Sequence, residues 1–112
     1  MARILSISYD PQLLQSRELI LRKMGHTVIS VEGFVQATEA CTREAPFDLA
    51  ILGHSIPHKD KGAILQHCQK HLSCRVLALL RPNEGALDGA AKSVKSHDPK
   101  TVVEAVNKML SD

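Results

Sequence analysis

The feature that most constrains this chain is a regular alternation: short apolar runs of strand length follow one another, separated by stretches with helical periodicity. "RILSI" (3–7), "HTVISV" (26–31), "LAIL" (49–52), "RVLALL" (75–80) and a weaker "AKSVK" (91–95) are the strand candidates. The third is apolar throughout and the fourth is apolar after its first residue, as strands covered on both faces must be. Between the first two runs, Leu13, Leu14, Arg17, Ile20, Leu21 and Met24 recur at helical spacing. Asp10-Pro11 starts that helix. The carboxylate accepts backbone N–H groups that lack an intrahelical partner, and proline needs no N–H at the first position. Gly25 supplies a left-handed stop.

A second helix is expected over residues 34–44, with Val35, Ala37, Ala40 and Cys41 facing inward, and Pro46 ends it. A third, shorter helix is expected from about Ala63 to His71, with Ile64, Leu65, Cys68 and Leu72 as its buried stripe. "RPNEGALDG" (81–89) is rich in helix breakers and has room for at most one helical turn. Asp98-Pro99 repeats the earlier start signal. The last helix turns Val102, Val103, Val106, Met109 and Leu110 inward and a Glu104/Lys108 pair outward.

Strands alternating with helices imply a parallel sheet with helices on both faces, wound right-handed. The 112 residues suit one domain spanning 1–112, with no repeat, linker or low-complexity stretch. In such folds ligands sit outside the carboxyl ends of the strands. The positions to watch are therefore Ser8, Tyr9 and Asp10, then Gly53 to Pro57, then Leu80 and Arg81, then Lys95 and Ser96.

Composition narrows the function classes. A net charge of +2 argues for neither a nucleic acid nor a membrane partner. Aromatic residues are 3% of the chain, too few for a base-stacking platform. No apolar run approaches the roughly 20 residues of a membrane span, and the opening residues do not make a signal peptide. Cys41, Cys68 and Cys74 leave at least one thiol unpaired, and the expectation is reduced cysteines in a cytoplasm.

Three segments together, in order and without gross length change, resemble the receiver domain of two-component response regulators. These are "RILSISYDPQLLQSRELILRKMGHTVISV", "FDLAILGHSIP" and "VKSHDPKTVVEAVNKML". The resemblance implies a flavodoxin-like three-layer α/β/α sandwich. Its five-stranded parallel sheet would run in the order 2-1-3-4-5; the segment between Leu80 and Lys95 is several residues shorter than the resemblance predicts, so the fourth helix is expected to be shortened or lost. It also implies a chemistry: phosphoryl transfer from a histidine kinase to one aspartate, with an acidic pair holding Mg²⁺ and a hydroxyl and a lysine on the phosphoryl oxygens.

Carried onto this sequence, those roles fall on residues that do not suit them. The acidic pair falls on Ser8 and Tyr9, and Asp10 reads as a helix cap. The phosphoacceptor falls on Gly53, in a frame anchored by Asp48 and Pro57, and the hydroxyl falls on Leu80. Lys95 matches the family's lysine, but the following proline is Ser96. The resemblance therefore implies a degenerate pocket (Ser8, Tyr9, Asp10, Gly53, Leu80, Lys95, Ser96) and a receiver scaffold that signals by protein contact. It would have no enzymatic activity and no cofactor. Its partner would be a signalling or output protein, with a homodimer as one form of that contact. In the absence of a phosphoryl group, Lys95 is expected to pair with Asp10 or a loop carbonyl, and the bulk of Leu80 and Arg81 to fill the pocket.

A rival constellation stands around "HCQKHLSC" (67–74). The chain has six histidines: His26, His54, His58, His67, His71 and His97. His67 and His71, four apart, share a helical face as zinc-binding pairs do, and Cys74, His54 and His58 could join them as a metal- or small-ligand sensor. The plainer reading is that these histidines flank the buried stripe of their helix. Cysteine nucleophilic chemistry would need Cys68 beside a base such as His54 or His58, whereas its place on the stripe makes it a small hydrophobe.

Overall fold

A computed structural model of the chain describes residues 2–44, 46–96 and 98–111. The elements are β1 (Arg3–Ser8), α1 (Pro11–Lys23), β2 (Thr27–Glu32), α2 (Phe34–Arg43), β3 (Leu49–Leu52), α3 (His58–His71), β4 (Arg75–Leu79), β5 (Lys92–Val94) and α4 (Pro99–Ser111). The strands form one sheet in the order β2-β1-β3-β4-β5, and every pairing is parallel. Because side chains alternate across a sheet, each strand feeds two cores. Ile4, Leu49, Ile51, Leu77 and Leu79 meet α1 and α4 through Leu21, Val102, Val106 and Met109. Leu5, Ile7, Ala50, Leu52, Val76 and Ala78 meet α2 and α3 through Ala37, Cys41, Ile64, Leu65 and Cys68. This is the doubly wound sandwich expected from the alternation.

The two Asp-Pro starts work as the sequence implies. Asp10 Oδ1 accepts from the Gln12 and Leu13 amides at 2.9 and 3.3 Å. Asp98 Oδ2 accepts from the Thr101 amide at 3.3 Å. Gly25 stops α1 with φ at 93°. Among the described residues no helix lies between β4 and β5. The segment crosses by turns at 82–83 and 88–89 and is pinned to the core by Leu87.

Two local expectations need correction. The third helix starts at His58 rather than Ala63, with the Lys61 amide bonded to the Pro57 carbonyl at 2.9 Å. Pro57 is an acceptable helix-starting residue, and Gly62 is carried inside the helix. Val35 is 65% exposed because it sits in the first turn of α2, before the apolar face, which Ala37, Ala40 and Cys41 form, meets the sheet.

Candidate functional site

The carboxyl ends of β1 and β3 are joined by uncharged groups. Ser8 Oγ and Ser55 Oγ lie 3.0 Å apart, the Tyr9 amide donates to Ser55 Oγ at 3.0 Å, and the Asp10 amide donates to Ser8 Oγ at 3.0 Å. The Tyr9 hydroxyl donates to Asp60 Oδ2 at 2.9 Å, tying the end of β1 to the start of α3. Burial, reinforced by the Asp60 carboxylate, pushes the Tyr9 phenol up to about 12. A hard divalent cation needs oxygen ligands that usually include carboxylates. Here the hydroxyls are those of two serines, and the two carboxylates in this region are already engaged: Asp10 caps α1 and Asp60 accepts from the Tyr9 hydroxyl. The residues present do not fit Mg²⁺.

Gly53, immediately after β3, has close neighbours on the side where a side chain would stand. Its amide donates to the Ile7 carbonyl at 2.9 Å. A Cβ placed there would lie 2.9 Å from that same backbone oxygen and 3.0 Å from Arg17 Nη2. Arg17, from α1, is buried. Its Nη1 donates to Ser6 Oγ at 3.0 Å and to the Ile7 carbonyl at 3.4 Å. Among the described residues no carboxylate pairs with it, and burial lowers the guanidinium to about 10. The guanidinium thus borders the space that a side chain at position 53 would enter.

The segment after β4 is held by charge. Lys61, fully buried, donates to Glu84 Oε1 at 2.7 Å. Glu84 also accepts from the Arg81 amide at 3.0 Å and meets His58 Nδ1 at 2.7 Å. Burial alone would raise the Glu84 carboxyl, but the hydrogen bonds from Lys61, the Arg81 amide and His58 outweigh it and hold it at about 2. Burial lowers the Lys61 ammonium, an effect that Glu84 partly offsets. The Arg81 guanidinium reaches back to the loop after β3 and donates to the His54 and Ser55 carbonyls at 3.0 and 2.9 Å. Leu80 is buried in the α2–α3 core with Ile56 and Leu87.

Lys95 departs from expectation. It is exposed and forms no hydrogen bond or ion pair with any described residue, so the anticipated contact with Asp10 or a loop carbonyl is absent. It follows the end of β5, and its long flexible chain gains more from hydration than from a fixed partner. Ser96 instead accepts from the Asp98 amide at 3.0 Å and supports the start of α4.

The histidines do not converge. The His67 and His71 rings lie 4.5 Å apart, tilted by 47°. Among the described residues no group of three or more His, Cys, Asp or Glu side chains is placed to hold a metal ion. His97 lies outside the described residues. Cys68 contacts the Cys41 sulfur, at 3.4 Å.

Sequence reasoning missed the buried Lys61–Glu84 pair, although a signal existed. Positions 61, 64, 65, 68 and 72 share one helical stripe, so a helix begun at His58 carries Lys61 inward.

Comparison with solved structures gives the fold. A CheY-like response regulator receiver domain protein from Methanospirillum hungatei JF-1 superposes with a TM-score of 0.83 at 19% identity, covering 99% of this chain and 94% of that one. The N-terminal domain of a response regulator/sensory box/GGDEF three-domain protein from Carboxydothermus hydrogenoformans gives 0.80 at 20% identity, covering 97% and 94%. The receiver domain of the hybrid histidine kinase CckA gives 0.79 at 23% identity, covering 96% and 98%. The chain is similar to these structures at the level of fold: a receiver-like, flavodoxin-type sandwich. Neither the family models nor the curated proteins compared with it give a match. No described helix is long and apolar enough to cross a membrane.

Proposed function

We propose that this chain is a receiver-fold interaction module of two-component-type signal transduction that works without phosphorylation. It is a pseudo-receiver that binds a protein partner, or a second copy of itself, in the cytoplasm, and it carries out no enzymatic step. The observation that supports this reading most directly is the surroundings of Gly53. The position where receivers carry their phosphoacceptor has the Ile7 carbonyl and the Arg17 guanidinium within 3.0 Å of where a Cβ would stand. The absence of a carboxylate is thus matched by the packing around it. The Ser8–Ser55 hydroxyl pair, the Asp10 cap and the outward Lys95 agree with it.

Contact surfaces remain in place on such a scaffold. The groove between α1 and α4 offers the half-buried side chains of Leu13, Ile20 and Val103 and the exposed Pro99 to a partner. The test is incubation with acetyl phosphate and Mg²⁺ followed by intact-mass measurement. The expected result is an unchanged mass. An acid-labile phosphate adduct would overturn the proposal.

A further inference from the structure

Away from the strand-end site, two cysteines meet between α2 and α3. Cys41 lies in the last turn of α2 and Cys68 in the last turn of α3, 27 residues apart in sequence. Both side chains are buried, at 0% and 1% exposure, and their sulfurs lie 3.4 Å apart between the two helices. Cys74 sits half-buried at the edge of the same core. A disulfide needs roughly 2.0 Å between sulfurs, so a small approach of two helix ends closes the gap.

We propose that Cys41 and Cys68 are a redox modification site, a dithiol that a peroxide converts to an intramolecular disulfide fastening α2 to α3. The Cys41 thiolate attacks one peroxide oxygen and breaks the O–O bond, giving a sulfenic acid and releasing hydroxide that becomes water. The Cys68 sulfur then attacks the Cys41 sulfur and displaces that hydroxyl, which leaves as a second water with the Cys68 proton. The two thiols lose two electrons and two protons, and hydrogen peroxide is reduced to two waters.

Three features favour this pair. The hydrogen bond from Cys68 draws the Cys41 thiol below its ordinary value, and the same bond with burial pushes Cys68 up, so the nucleophile is Cys41. Burial raises Cys74, which leaves it the less reactive bystander. Both reacting residues sit in final helical turns, the part of a helix that opens most readily, so a small oxidant gains access without global unfolding.

The test treats the reduced, natively folded full chain with hydrogen peroxide. The product is then alkylated with iodoacetamide in denaturant and its mass and peptides mapped. Before alkylation the expected product is a monomer two hydrogens lighter than the reduced chain and with a higher Tm; after alkylation it is linked Cys41 to Cys68 and carries the adduct on Cys74 alone. Cys74→Ser should give the same link, and Cys41→Ser should lose it. Alkylation of all three thiols in the treated wild type, or a link through Cys74, would overturn the proposal. Because the wild-type peptide map decides the question, a poorly folding variant does not weaken the test.

Discussion

The loop after β3 and the segment after β4 reach the same end of the sheet, and opposite physics holds them there. The first is closed by small, uncharged groups: a glycine against a carbonyl and a pair of serine hydroxyls. The second is closed by a buried ion pair, with Arg81 bridging from one to the other. Two neighbouring loops at one end of a parallel sheet can therefore each be held in one arrangement by contacts within the chain, close packing in one case and a buried ion pair in the other. The difference lies in the consequence of substitution. In the first region an atom added at Gly53 meets a backbone oxygen, whereas in the second removing Glu84 leaves the buried Lys61 charge uncompensated.

The sharpest way to break this contrast is to remove Glu84. Glu84→Ala leaves the Lys61 ammonium fully buried without its counter-ion, and the expected loss is about 3–5 kcal/mol in urea unfolding. Lys61→Met should cost less, because Glu84 keeps the Arg81 amide and His58. The double variant should then cost less than the sum of the two singles. Additive losses would mean that the pair contributes no coupling.

The same carboxylate sets a pH response. Its folded value of about 2 lies below its ordinary 4.5, so its stabilisation is complete above about 4.5 and is lost as the pH falls toward 2. Unfolding free energy should fall through that window in the wild type and fall less steeply in Glu84→Ala. Equal slopes would show that another carboxylate carries the acid sensitivity.

Much of this molecule was legible from local pattern. "LAIL" and, after Arg75, "VLAL" declare buried parallel strands because nothing in them needs water, and both Asp-Pro pairs declare helix starts. What stayed hidden depends on contacts distant in sequence. Gly53 reads as the absence of a carboxylate, while the close approach of Ile7 and Arg17 to it comes from another strand and helix and leaves no local trace. Lys61 joins the stripe of Ile64, Leu65 and Cys68 only once α3 starts at His58, and the partner that balances its buried charge, Glu84, stands 23 positions on. Lys95 misled in the other direction, since a matching position without the phosphoryl group keeps no reason to point inward.

The β3 side of the comparison can be tested with a single methyl group. Gly53→Ala places a Cβ against a backbone oxygen that cannot swing aside, so the strand tip or α1 must shift, at about 1–3 kcal/mol. Gly62→Ala is the internal control. That glycine lies inside α3, with no heavy atom within 4 Å of an added Cβ, so the change should stabilise the chain by about 0.5–1 kcal/mol. If both substitutions stabilised, the close approach at Gly53 would not be a constraint.

The smallest expected effect concerns Lys95, the position at which the sequence best resembles a receiver site. Lys95→Ala removes an exposed ammonium that contacts no described residue, so stability should change by no more than about 0.5 kcal/mol. In a phosphorylated receiver the same substitution would disturb the site itself, because that lysine would meet a phosphoryl oxygen. Here thermal unfolding of Lys95→Ala should superpose on the wild type, with or without acetyl phosphate and Mg²⁺. A wild-type Tm shift that appears only with those reagents and vanishes in Lys95→Ala would mean that the pocket still takes an anion, and that both ends of the sheet comparison remain tied to one ligand.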